Sequence, residues 1–149
     1  MAGKTDKFEY DFGRLVFNGV AITNVAATAG TTQWWLGLMT ADPTEAGSTA
    51  AEGGYAQYAR AETARSTIGT SPYGWAVSSG TLMSASPTGT ISFPQNTSTS
   101  TGTFTHFMLF PSSAAQASSG LYFGTVSPNI NFAQNVTPQI TTSSSITED

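Results

Sequence analysis

The sequence predicts an all-β chain: an antiparallel β-sandwich, jelly-roll-like, preceded by one short N-terminal helix. Three observations predict it. Short runs rich in Val, Ile, Thr, Phe, Tyr and Trp recur from residue 55 onward, and Gly or Pro punctuates them about every ten residues, the spacing of sandwiches and barrels. Helical periodicity is confined to residues 6–19. The length, 149 residues, is that of one domain with one hydrophobic core.

The N-terminal segment is read first. Asp6 and Glu9 have capping-box spacing, each side chain meeting an orphan backbone N–H at the other's position. Phe8, Phe12, Leu15 and Val16 then form one apolar stripe, and Asn18-Gly19 supplies the stop. Gly13 weakens such a helix by about 1 kcal/mol relative to Ala, so the stripe must dock on something. Residues 20–32 read as an extended arm. The expected division is therefore a helix and arm over 1–32 and a sandwich domain over 33–149.

Residues 33–39, Gln-Trp-Trp-Leu-Gly-Leu-Met, are a dense apolar run with the length of a strand buried on both faces. Asp42-Pro43-Thr44-Glu45 predicts a single helical turn, with Asp42 as N-cap and Pro43 at the first helical position. A Gly-, Ala- and Ser-rich loop ends it. Strands are expected at 55–61, 89–93, 102–110, 121–126 and 138–146, with a short one at 129–132. A hairpin is expected between 73–77 and 81–83, turning at Ser78-Ser79-Gly80. The run at 102–110 becomes apolar on both faces, as a central strand does, and strict alternation sets His106 on the face of Phe104 and Met108.

Composition excludes several functions. Charged residues are only 9% of the chain, so its surface is built from Ser, Thr, Asn, Gln and Gly; aromatics at 11% rule out a disordered polar tract. The net charge is −4, and the five Lys and Arg form no run, which argues against a phosphate-binding surface. No stretch approaches the ~20 apolar residues of a membrane span, and polar residues 1–11 lack the apolar region of a secretory signal. Cysteine is absent, so disulfides, thiolate metal sites and Cys nucleophiles are excluded together.

Candidates for chemistry are few. His106 has no second His to join it, and no Gly-x-Ser-x-Gly elbow points to a serine partner, so it reads as a hydrogen-bonded strand residue. Asp42, Glu45 and Glu52 could offer oxygen ligands to calcium, but they lack the Asp/Asn alternation of a calcium loop. Asn96-Thr97-Ser98 and Asn135-Val136-Thr137 match the glycosylation pattern, as chance allows in a Ser/Thr-rich chain. Arg60, Glu62 and Arg65 follow Tyr55 and Tyr58. They read as a solvated strand end with one ion pair, or else as a subunit contact, where Tyr and Arg are favoured.

Four groups of residues resemble a known family. They are Phe8-Glu-Tyr-Asp-Phe12 with Leu15-Val-Phe-Asn18; Leu36-Gly-Leu-Met-Thr-Ala-Asp-Pro-Thr-Glu-Ala-Gly47 with Gly54-Tyr-Ala56 and Arg60; Gly74-Trp-Ala-Val77, Ile91-Ser-Phe-Pro94 and Gly102-Thr-Phe-Thr-His-Phe107; and Leu121-Tyr-Phe-Gly-Thr-Val-Ser-Pro-Asn129 with the ending from Thr137. In this order they resemble small virion proteins of tailed bacteriophages, labelled tail fibre or head decoration proteins. Met39 stands where that family often has His or Phe.

The resemblance implies a virion component with no catalytic residues, no cofactor and no metal. The acidic chain and the absence of heptads lead to the expectation of a decoration (cement) protein on the outer surface of the capsid. Its expected partners are the phage major capsid protein and copies of itself in a homo-oligomer, a trimer being one order in view, with neither nucleic acid nor membrane. The alternative is a tail fibre or baseplate component that binds the host surface; a glycan hydrolase stands third. Phe8, Phe12, Leu15, Val16, Tyr55, Tyr58 and Arg60 are the expected partner contacts.

Overall fold

The computed structural model describes residues 2–5, 8, 22, 33–64, 69–79, 83–113 and 120–148. Within them the named elements are all strands: β1 (Ala2–Lys4), β2 (Gln33–Met39), β3 (Ala61–Ala64), β4 (Trp75–Ser79), β5 (Met83–Pro87), β6 (Ile91–Ser92), β7 (Gly102–Phe110), β8 (Tyr122–Phe132), β9 (Gln139–Ile140) and β10 (Ile146–Glu148). They form a five-stranded sheet of order β1-β8-β7-β2-β3, a three-stranded sheet β10-β5-β4 and a pair β6-β9, every pairing antiparallel.

The two densest apolar runs, β2 and β7, lie side by side inside the large sheet and are buried on both faces. One face carries Leu36, Leu38, Phe104, Phe107, Leu109 and Phe132 into the main core, where Tyr55, Ile91, Phe93, Ile140 and Ile146 meet them. The other face gathers Met39, Met108 and Phe110, with Trp35 and Phe123 packed alongside.

A break in register decides which β7 residue faces which core. Phe104 pairs with Ile130, but His106 pairs with Thr125, so Thr105 alone stands against residues 126–129 of β8. The irregularity shifts the phase of the strand. Phe104 therefore joins Phe107 and Leu109 in the main core, while Met108 and Phe110 belong to the other cluster. The expected shared face of Phe104, His106 and Met108 is thus corrected. Pro128 sits inside the irregular stretch, where a residue without an N–H costs no ladder bond. The stretch also joins the two strands expected at 121–126 and 129–132 into one long β8.

Other boundaries move for identifiable reasons. Residues 55–60 are not a strand: the Tyr58 amide donates to the Tyr55 carbonyl (3.1 Å), and the strand starts at Ala61. The hairpin forms, but Ser78 pairs with Ser84 and Ser79 with Met83, so both serines are strand residues rather than the turn expected of them. The run expected at 138–146 divides into β9 and β10 around a turn closed by Ser144 N–H to Thr141 O, 3.0 Å. At 42–47 the Asp42 carboxylate accepts from the Thr44 amide (2.8 Å), yet Thr44 has φ 57, so the chain makes a tight turn instead of a helical one.

At the N-terminus, β1 pairs with Tyr122–Gly124 of β8, and buried Thr5 donates its hydroxyl to Gly120 O at 2.6 Å. The helix expected over 6–18 lies outside the described residues apart from Phe8, and so do Phe12, Leu15 and Val16. The Phe8 amide donates to Thr5 Oγ1 at 3.3 Å.

Close packing around Phe132 gives a direct test. A Cβ on Gly102 would stand 2.5 Å from Phe132 Cζ, and that ring is held by Phe104 at 4.7 Å and Tyr55 at 5.6 Å. Gly102→Ala is expected to lower the urea midpoint by the equivalent of about 1–3 kcal/mol, as overpacking does. Gly69, where a Cβ meets nothing within 4 Å, provides the control; Gly69→Ala is expected to stay within about 0.5 kcal/mol of the parent.

Candidate functional site

The chain's one described cluster of buried charge lies against the second face of the large sheet. After β2 the chain folds back: Met39 bridges to Glu52, Thr40 N–H donates to Ala51 O at 2.9 Å, and Gly53 N–H to Leu38 O at 3.0 Å. That return places Glu52 against Arg60, which immediately precedes β3. Arg60 Nε and Nη2 each reach a Glu52 carboxylate oxygen at 2.7 Å, and Nη1 donates to Ser112 O at 2.9 Å. The guanidinium lies over the Phe110 ring, 3.3 Å from its centroid. Both side chains are buried, at 3% and 8% exposure. Gly37 makes room, since a Cβ there would come within 2.8 Å of Phe110 and 2.9 Å of Glu52 Oε1.

Tyr58 extends the cluster into the sheet. Its hydroxyl accepts from Leu38 N–H at 2.7 Å and donates to Glu52 Oε1 at 3.4 Å. Burial, reinforced by the Glu52 charge, pushes the phenol well above its ordinary pKa of 10.0, against the opposing pull of Leu38 N–H and Arg60. Tyr55, raised by burial as well, donates to Pro94 O at 2.6 Å and meets Tyr58 edge-on at 5.8 Å.

These contacts correct the reading of Arg60 as a solvated strand end. Its partner is Glu52, eight residues upstream, while Glu62 stands on β3 opposite Trp35. Tyr55 and Arg60 are buried within the chain's own fold, Tyr58 is half-buried, and Phe8 is half-buried with its ring 5.6 Å from Tyr122.

The other candidates do not assemble into a reactive centre among the described residues. His106 Nδ1 is 2.9 Å from Thr105 Oγ1, but its Nε2 is 4.0 Å from Asp42 Oδ2, beyond hydrogen-bond reach, and the Asp42 side chain is 59% exposed. Asp42 and Glu52 are occupied by Thr44 and Arg60 respectively. No three of His, Asp or Glu converge as a metal site among the described residues. Asn96 is fully buried, accepting from the Ser98 amide (2.9 Å) and hydroxyl (2.7 Å), so its side chain is turned away from solvent.

A cleft of about 300 Å³ opens between the large sheet and the β10-β5-β4 sheet. Leu36 and Phe107 form its floor; Trp75, Pro87, Ile140 and Ile146 make its walls; Thr125, Ser127 and Ser143–Ser145 stand at its mouth. Trp75 is held by its indole N–H, which donates to buried Thr63 Oγ1 at 3.1 Å, and Thr63 donates in turn to Trp34 O at 3.2 Å. Among the described residues no charged side chain lines the cleft. Sequence reasoning missed it because its lining comes from seven strands and a turn. The signals available were the Ser143–Ser145 run and an aromatic on a short strand.

The family described as Podophage GP4 fiber I protein gp80 matches residues 14–146 of the chain. No curated protein matches it.

The buried ion pair predicts an asymmetric response to substitution. Arg60→Met leaves the Glu52 carboxylate buried and unpaired and is expected to cost about 3–5 kcal/mol in urea unfolding, whereas Arg60→Met with Glu52→Leu regains most of it. Tyr58 predicts an alkaline limit. The unfolded phenol ionises near 10.0 while the folded one stays neutral, so its contribution is complete below that pH and is lost as pH rises toward the folded value. Urea midpoints measured across that range should fall above pH 10.0, and Tyr58→Phe should flatten the fall.

Proposed function

The chain belongs to the podophage fiber I protein family, and we propose on that premise that it is a non-enzymatic building block of a tailed-phage virion, mounted as part of a tail fibre. The observation that carries this reading is the match over 14–146, which takes in nearly every described strand. We read the layers around the main core as a β-sandwich, a rigid block suited to repetition in an assembly. The polar groups buried in it support a structural role, because Arg60, Glu52, Thr63 and Asn96 are engaged by the chain itself.

Capsid decoration is the second reading, with the major capsid protein as partner. The low charge and the short, layered strands favour it, since among the described residues no long fibrous element occurs. Both readings share one contact chemistry. With 9% charged residues, ion pairs cannot dominate attachment, and apolar and backbone contacts between copies must carry it. The stripe of Phe8, Phe12, Leu15 and Val16 is the proposed attachment element.

Location and copy number separate the two. Antibody labelling of virions is expected at the tail, with few copies per particle; labelling over the head in many copies would overturn the fibre reading in favour of decoration. Raising ionic strength should leave the protein bound while mild denaturant releases it. Phe12→Asp with Val16→Asp is expected to give a folded chain that fails to join particles.

A further inference from the structure

We propose that the cleft between the two sheets binds a short stretch of uncharged glycan, with Trp75 as the stacking wall and the hydroxyls at the mouth as hydrogen-bonding groups. This deepens the fibre reading and rests on it for its biological setting.

The lining selects the ligand class by elimination. A charged ligand entering the cleft would be stripped of water and meet no countercharge from the described lining, because no Asp, Glu, Lys or Arg lines it among the described residues. A peptide adding to a sheet needs a free row of backbone groups. The floor offers none, because β2 is paired on both sides by β3 and β7, and β7 by β2 and β8; the edge strands β4, β9 and β10 each bring only one residue to the cleft, too short a row for an added strand. A wholly apolar ligand would cover the Thr125, Ser127, Ser144 and Ser145 hydroxyls, which hold no hydrogen bond to another described side chain, and would leave them without water or a partner.

An uncharged sugar satisfies every part of the lining. Its C–H faces pack on indole, proline ring and aliphatic carbon, and its hydroxyls exchange hydrogen bonds with serine and threonine. The indole is preorganised for this. Its only polar atom is committed to Thr63, so the ring is held in place before any ligand arrives. The irregular stretch of β8 also lines the cleft, since Val126 and Ser127 belong to it and Thr125 immediately precedes it.

The test uses the full-length protein on a printed array of defined bacterial glycans, charged and uncharged. Signal is expected on uncharged glycans, competed by the same free glycan. Ser127→Ala with Ser145→Ala is expected to weaken it about tenfold, the scale of one or two lost hydrogen bonds, with circular dichroism unchanged. Trp75→Leu should abolish it; if that variant fails to fold, the serine variant carries the test alone. No signal on any uncharged glycan, signal confined to charged ones, or binding indifferent to the serine substitutions would overturn the proposal. Labelling of virions reports on the fibre reading separately: glycan binding by a head-located protein would sink that reading and leave the cleft's specificity standing.

Discussion

A guanidinium taken out of water has to be met on nearly all its donors, and the way Arg60 is met organises one half of this fold. Glu52 supplies the fork, Ser112 the remaining acceptor and Phe110 the face on which the plane rests. Those three groups belong to the return loop after β2, the segment after β7 and β7 itself. The pair therefore fastens two loops to the sheet at one point. Its stabilising value is conditional: such a pair adds little over a well-packed apolar replacement, but either partner alone is strongly destabilising. It acts as a specification of which loop lies where. Gly37 and the Tyr58 hydroxyl are adjuncts to it, one leaving space and the other tying the carboxylate to the β2 backbone.

The second constraint is the burial of both faces of β2 and β7. A sheet sealed on both sides cannot use simple alternation of apolar and polar residues, so its central strands are apolar throughout. The side to which each residue goes is then decided by register. The mismatch between β7 and β8 supplies that decision, assigning Phe104, Phe107 and Leu109 to the main core and Met108 and Phe110 to the other cluster. Val126 and Ser127, which line the cleft, lie within the same mismatch, and Thr125 immediately precedes it.

The elements legible in the sequence were those whose signal is local and strong. The runs 33–39 and 102–110 are strands with the expected ends, because continuous apolar residues of that length have few other uses. What escaped depended on partners distant in sequence. Ala2-Gly3-Lys4 carries no pattern of its own and becomes a strand only through β8. The tyrosines at 55 and 58 mimic strand residues but enter the core from a turn. Arg60 has Glu62 as its obvious neighbour, and nothing in a Gly- and Ala-rich loop announces that Glu52 folds back to replace it. The cleft was invisible for the same reason: its wall, floor and mouth are far apart along the chain.

The irregular stretch of β8 also bears on how related chains can differ in length. Residues 126–129 answer to a single residue across the ladder, so their number is not counted by the register on either side. Insertions or deletions there can be absorbed as a wider or tighter lip, leaving both cores in phase. A one-residue change within 106–110 would instead turn Phe107 and Leu109 to the opposite face and exchange the contents of the two cores. Variation in length among relatives should therefore collect at the cleft's edge, and ligand preference can drift there while the scaffold stays constant.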